Sequence, residues 1–283
     1  MTIVFESNPE LYLSLPQFMW EGLFALASAL IVGLTIAFIT TFYLKKKDEI
    51  TRVAGVILEK RVNSNQEIVL ALENASFKLE MPSAQSVVWR EVLLSNDLQL
   101  PYDPHIQYAD IFSSAEKFRR FFKEFEALLS KNKLWLGKEV RFHMTLMQAY
   151  FSWLNACLLT PNRVPLPDGE SLTTIEQAQL DDKLILLQGI VLDAEFNGLV
   201  AELEVLMVNS IYHLKLDRPK KSMMRNGFLN RDTKKLVSIL ENRTLLGREK
   251  ENFISLAMLL TYQIKGLSLD ESKLDQVISA VTL

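Results

Sequence analysis

The chain is short of the residues that build thiol and metal chemistry. It has one cysteine, Cys157, and three histidines, His105, His143 and His213, in 283 residues. A single thiol excludes an intramolecular disulfide and a thiolate zinc site, and it suits a reducing compartment. Cys157 sits in an apolar run and reads as a small buried hydrophobe. No two histidines have the spacing of a helical metal-ligand pair. The ten glycines are scattered, so there is no phosphate-cradling loop and no dinucleotide fingerprint. A Gly-x-Ser-x-Gly elbow is absent too. Cys157 and His143 fall on one expected helix, ~21 Å apart at 1.5 Å per residue, too far to act as a nucleophile and its base. The acidic pairs Asp181-Asp182 and Glu202/Glu204 read as solvated helix faces. The expectation is a protein that is not an enzyme and carries neither cofactor nor metal.

Charge of one sign is also scarce. The net charge is −3, so any binding of polyanions must be local. Long uncharged runs number two. The first, Gly22–Leu44, holds 23 residues dominated by Leu, Ile, Phe, Val and Ala. A bilayer core of ~30 Å needs about 20 helical residues, and a helix satisfies its own backbone in lipid. Phe18, Trp20 and Tyr43 flank the run, as aromatic rings do at a membrane interface. Residues 1–21 carry Glu6, Glu10 and Glu21 but no Lys or Arg, which argues against a cleaved signal peptide. Lys45, Lys46, Lys47 and Arg52 follow the run directly. By the positive-inside rule they place the N-terminus outside and the rest of the chain in the cytoplasm, with a bacterial inner membrane as the expected location. Within the run, Ala25, Ala29, Gly33 and Ala37 recur every four residues. Such a stripe of small side chains lets membrane helices approach closely, so a homo-oligomer through this helix is one expectation. The second run, Phe142 to Asn162, is less apolar and carries Thr145, Gln148, Ser152 and Asn155. It reads either as a second pass or as a core helix.

The remaining chain reads as helices. Residues 48–62 continue the anchor as a helix, and Asn63-Ser64-Asn65 reads as a break. Alternation at Ile68, Leu70, Leu72 and again at Phe77, Leu79, Met81 suggests a small strand pair. Residues 84–95 read as a helix, and Pro101-Tyr102-Asp103-Pro104 as a loop. Ser113 with Glu116 forms a capping box ahead of an aromatic face, Phe118, Phe121, Phe122 and Phe125, which should be core. A helix from about Leu134 to Leu159 should pair with it as a hairpin. Thr173 and Glu176 make a second capping box ahead of a pattern running to about Leu216, with Gly189 and Gly198 as candidate kinks. Residues 217–232 read as a basic loop, and helices follow at about 233–245 and 248–265, with Gly266 as a helix stop and a last helix capped by Ser268 and Glu271. The expected class is mainly α: one transmembrane helix, then an all-α cytoplasmic domain with or without a small β element. The expected layout is a tail at 1–21, a span at 22–44, a juxtamembrane region at 45–112 and a helical domain at 113–283.

One basic segment stands out. Lys215, Arg218, Lys220, Lys221, Arg225, Arg231, Lys234 and Lys235 face only Asp217 and Asp232, with Met223, Met224 and Phe228 between them. It suits anionic lipid, at ~1 kcal/mol per basic residue near the surface. It equally suits nucleic-acid phosphates, or solvent alone. The leading expectation is a non-enzymatic membrane-anchored protein whose helical domain binds a cytoplasmic partner or partner complex.

The layout of short acidic tail, Gly22–Leu44 span, Lys45–Lys47 stop and compact helical domain resembles membrane-anchored effectors of bacterial phage-defence systems, the retron-associated transmembrane proteins. The resemblance lies in architecture and carries over no residue. It implies a toxin of an antiviral, abortive-infection system that works through its transmembrane helix.

Overall fold

Apolar residues at helical spacing dominate this sequence, and the computed structural model is built from helices accordingly. It describes residues 11–12, 15–98, 105–159, 161, 164, 166, 171–212 and 225–267. By their contacts these fall into two units, Met1–Glu59 and Lys60–Leu283.

The first unit holds a two-residue antiparallel pair, β1 (Leu11–Tyr12) with β2 (Leu15–Pro16), and then α1 (Gln17–Phe38). A π segment, Ile39–Leu44, follows, in which the Lys45 N–H bonds the Thr40 carbonyl five residues back. It leads into α2 (Lys45–Ala75). No Pro or Gly interrupts the run from 34 to 54, so nothing in the sequence ends the helix.

The second unit begins within α2. The expected break at Asn63-Ser64-Asn65 does not occur. Ser64 and Asn65 are buried, and the Asn65 amide donates to the Met207 carbonyl at 3.4 Å. Polar residues that look like a turn in sequence are here the buried face of a helix, with Ile68, Leu72 and Ala75 continuing it. The first of the two expected strands is therefore helix. The second exists as β3 (Lys78–Glu80), which pairs antiparallel with β4 (Gln107–Ala109), Leu79 facing Tyr108. Between them lies α3 (Ser83–Leu94). A 3₁₀ turn, Asp110–Phe112, joins β4 to α4 (Ala115–Asn132), and α5 (Lys138–Cys157) completes the hairpin. The cap of α4 is Ser114, whose hydroxyl accepts from the Lys117 N–H, rather than Ser113.

Then comes α6 (Thr174–Tyr212), 39 residues without interruption at Gly189 or Gly198. Its capping box is as expected: the Thr173 N–H donates to Glu176 at 2.7 Å and the Glu176 N–H to the Thr173 hydroxyl at 3.3 Å. The chain continues through α7 (Arg225–Asn242), α8 (Leu245–Arg248) and α9 (Lys250–Ile264). Gly266, at φ +64°, ends α9: its N–H bonds Gln263 O and the Leu267 N–H bonds Tyr262 O. That is a Schellman pattern, which needs a left-handed residue after the cap. The loop at 101–104 and the last expected helix lie outside the described residues.

α6 is the central strut. It packs on α4, α5, α8, α9, β4 and the 3₁₀ turn. Phe151 of α5 sits at the centre of the core, with Phe121 and Phe125 edge-on at 5.3 Å. The expected aromatic face of α4 is thus core. Eight residues of α5 are buried, including Met144, Met147 and Leu154, so the run from Phe142 onwards is a core helix of this unit. Gly189 does not break the helix and is a close contact: a Cβ there would lie 2.3 Å from the Phe112 Cβ.

Candidate functional site

Two kinds of polar or apolar concentration stand out, one in each unit. In the first unit it is the apolar helix itself. Between 21 and 44 no residue is buried, and Phe24, Leu26 and Phe38 are 65–67 % exposed. Apolar surface of this extent is not left to water. The helix is long and apolar enough to cross a membrane. Its hydroxyls fit that role: Ser28 donates to the Ala25 carbonyl, Thr35 to Ile31 and Thr40 to Ile36. Back-bonding of this kind hides polar hydrogens from lipid. Ala25, Ala29, Gly33 and Ala37 are all exposed, and a Cβ at Gly33 would meet nothing within 4 Å. Lys45, Lys46, Lys47 and Arg52 are exposed on the first turns of α2.

In the second unit the concentration is a row of carboxylates on α6, and it is structural. Asp181 is buried and accepts from Arg119 Nη2 and Gln177 Nε2, both at 2.6 Å. Asp182 accepts the Ala115 N–H at 2.8 Å, so it caps the start of α4 from another helix. Asp193 pairs with Lys78 of β3. Glu195 accepts the Tyr150 hydroxyl at 3.0 Å and the Leu245 N–H at 2.5 Å, tying α5 and the start of α8 to α6. The expected solvated acidic face is therefore corrected for Asp181, which is buried; Asp182 stays exposed while it bonds the start of α4. Negative charge at a helix start is favourable because the first N–H groups lack partners. Glu176, held by the Thr173 amide and hydroxyl and by Lys265, drops to about 2. The Tyr150 phenol is pushed well above its usual range by burial, with Glu195 adding to it.

Among the described residues the reactive side chains do not converge on a metal site. Burial pushes the Cys157 thiol up to about 11, which leaves it protonated and a poor nucleophile at neutral pH. His105 sits 2.7 Å from Glu80 near the β3–β4 pair, while His143 is buried with Nε2 2.8 Å from the Leu199 carbonyl. Among the described residues no three His, Cys, Asp or Glu side chains gather as metal ligands would.

Of the basic segment, Lys215, Arg218, Lys220 and Lys221 lie outside the described residues. Arg225 and Arg231 fall on α7, so the loop expected at 217–232 is helix from Arg225 onward; their side chains are likewise undescribed. Lys235 stands over the Phe142 ring at 4.9 Å, a cation–π contact within the domain. Sequence reasoning missed Arg61. Its guanidinium donates to Trp135 O at 3.1 Å and to Ser210 O at 2.8 Å, and so closes the C-terminal end of α6. A lone Arg on a polar helix face carries no sequence signal for such a role. No protein-family model, curated protein or solved structure matches this chain.

Proposed function

We propose that this is a non-enzymatic membrane-anchored protein. The segment from Gly22 to Leu44 crosses the cell inner membrane once, with the N-terminus outside, and the helical domain binds a protein partner in the cytoplasm. The observation that carries the reading is the bare apolar surface of α1, which no part of its own unit covers. Lys45–Lys47 and Arg52 supply the orientation. The domain offers its own apolar surface to a partner: Val87, Val88 and Leu94 are exposed on α3. Two measurements test this. The full-length chain should stay in the membrane pellet after alkaline extraction. A Ser95→Cys variant should react with an impermeant maleimide only after cells are opened, the native Cys157 being a poor background target. Labelling of intact cells would reverse the orientation.

A second reading is favoured by the exposed small stripe. On it, the chain is a membrane-acting effector of an antiviral system, and packing of Ala25, Ala29, Gly33 and Ala37 between copies perturbs the bilayer. Overexpression should then depolarise the host, and Ala29→Leu with Gly33→Leu should abolish the effect. A harmless wild-type chain leaves the tether reading alone.

A further inference from the structure

The π segment meets α2 in a polar region directly after the apolar helix. A shallow recess of about 550 Å³ opens there, bounded by Thr41, Lys45, Lys46, Asp48, Glu49 and Arg52, with Phe42 at its apolar edge. Two features single it out. First, its cations are unspent. Lys78, Lys117, Arg119, Arg120, Lys131 and Lys265 of the domain each reach a carboxylate, while others among the described residues, such as Lys123 and Arg243, do not. Among the described residues the side chains of Lys45, Lys46, Lys47 and Arg52 reach none, although Asp48 and Glu49 lie within the same turns. Second, its hydroxyl is unspent. Ser28, Thr35, Thr40 and Thr51 each donate to a carbonyl one turn back. Thr41 is the one Ser or Thr of this stretch, among the described residues, that does not. It lies where i→i+5 bonding displaces the carbonyls that an α-helix would offer.

We propose that this recess holds the headgroup of an anionic phospholipid. A phosphodiester oxygen accepts from the Thr41 hydroxyl and from the Lys45 ammonium one turn on, about 6 Å along the helix. Side chains on a helix lean toward its N-terminus, so Lys46 reaches back toward the same level, while Arg52, about 16 Å further along, adds positive charge at the far edge of the recess. Asp48 and Glu49 temper the site, but its three cations outnumber them, which selects an anionic over a zwitterionic headgroup. The apolar edge at Phe42 is where acyl chains begin. The inference rests on the membrane-spanning reading and gives that anchor a lipid preference.

The test uses the full-length chain purified in neutral detergent. It is offered phosphatidylglycerol and phosphatidylcholine with identical acyl chains in equal amounts, and retained lipid is counted by native mass spectrometry. Phosphatidylglycerol should be retained about threefold or more over phosphatidylcholine at low salt, as expected for a few cations at a lipid surface. Combined Lys45→Gln, Lys46→Gln and Arg52→Gln should bring the ratio to about one or below, since only the carboxylates of Asp48 and Glu49 then remain in the recess. Thr41→Val, nearly isosteric, should lower it while the circular dichroism stays unchanged. Equal retention by the wild-type chain, or a preference that both variants leave intact, overturns the proposal. Alkaline extraction of the same chain from membranes separates the two failures. A chain that stays in the pellet without headgroup preference loses only this site. A chain released without detergent loses the span and the site together.

Discussion

Two helices of this protein, α1 and α6, are each long and apolar enough to cross a membrane, and they have opposite surroundings. In α6, 56 % of the most apolar window is buried inside its own unit; in α1 none of it is. The difference is one of company. α6 carries Asp181, Asp182, Asp193 and Glu195 at intervals, and each acid finds a cation, an amide or a phenol on a neighbouring element. α1 carries no charge after Glu21 and offers only back-bonded hydroxyls. Apolar length is therefore a weak indicator of where a helix belongs, and the partners of its polar residues are a stronger one.

The largest effect should come from placing a charge in each helix. Leu184 is fully buried in α6, and Leu184→Lys should unfold the domain while leaving the chain in the membrane pellet. Leu30→Arg in the exposed apolar surface of α1 should do the reverse, with the domain's thermal unfolding intact and retention reduced. If both variants damage the same property, the contrast between the helices is wrong. Next come core contacts of α6 and its partners. Phe151→Ala should cost about 3–5 kcal/mol by chemical denaturation, because the ring packs against six others. Gly189→Ala should also destabilise, since its methyl would have to displace Phe112. The fasteners should matter less: Glu195→Gln should cost about 1–3 kcal/mol, by weakening the bonds from Tyr150 and Leu245.

The smallest effect is a pH dependence at the start of α6. The Glu176 carboxylate is held down to about 2 from an ordinary 4.5, so its contribution is complete above pH 4.5 and is lost as the pH falls towards 2. Unfolding followed by circular dichroism should therefore show a loss across that window that Glu176→Gln flattens. An identical acid profile in the variant would assign the loss to other carboxylates.

Much of the fold was legible because it depends on local chemistry. The Thr173–Glu176 box, the Gly266 stop and the aromatic face of α4 all rest on neighbours a few residues away in sequence. The errors share a cause. Asn63-Ser64-Asn65 looked like a turn because polar residues usually are; Asn65 is buried because Met207, 142 residues later, supplies an acceptor. Asp181 looked solvated because its partner Arg119, on α4, is 62 residues away in the sequence. At the candidate site, the cations and the small stripe were plain from their order. The idle hydroxyl of Thr41 was not, since it follows from the π segment.

The sequence by itself determined that a 23-residue uncharged helix precedes a cluster of lysines and a helical domain, because helix formation and hydropathy are properties of short stretches. Only the tertiary structure decided which apolar helix is covered and which is bare, and which carboxylates bind helices together. Burial and pairing arise between residues far apart in the chain, and their positions become common only once the chain has folded.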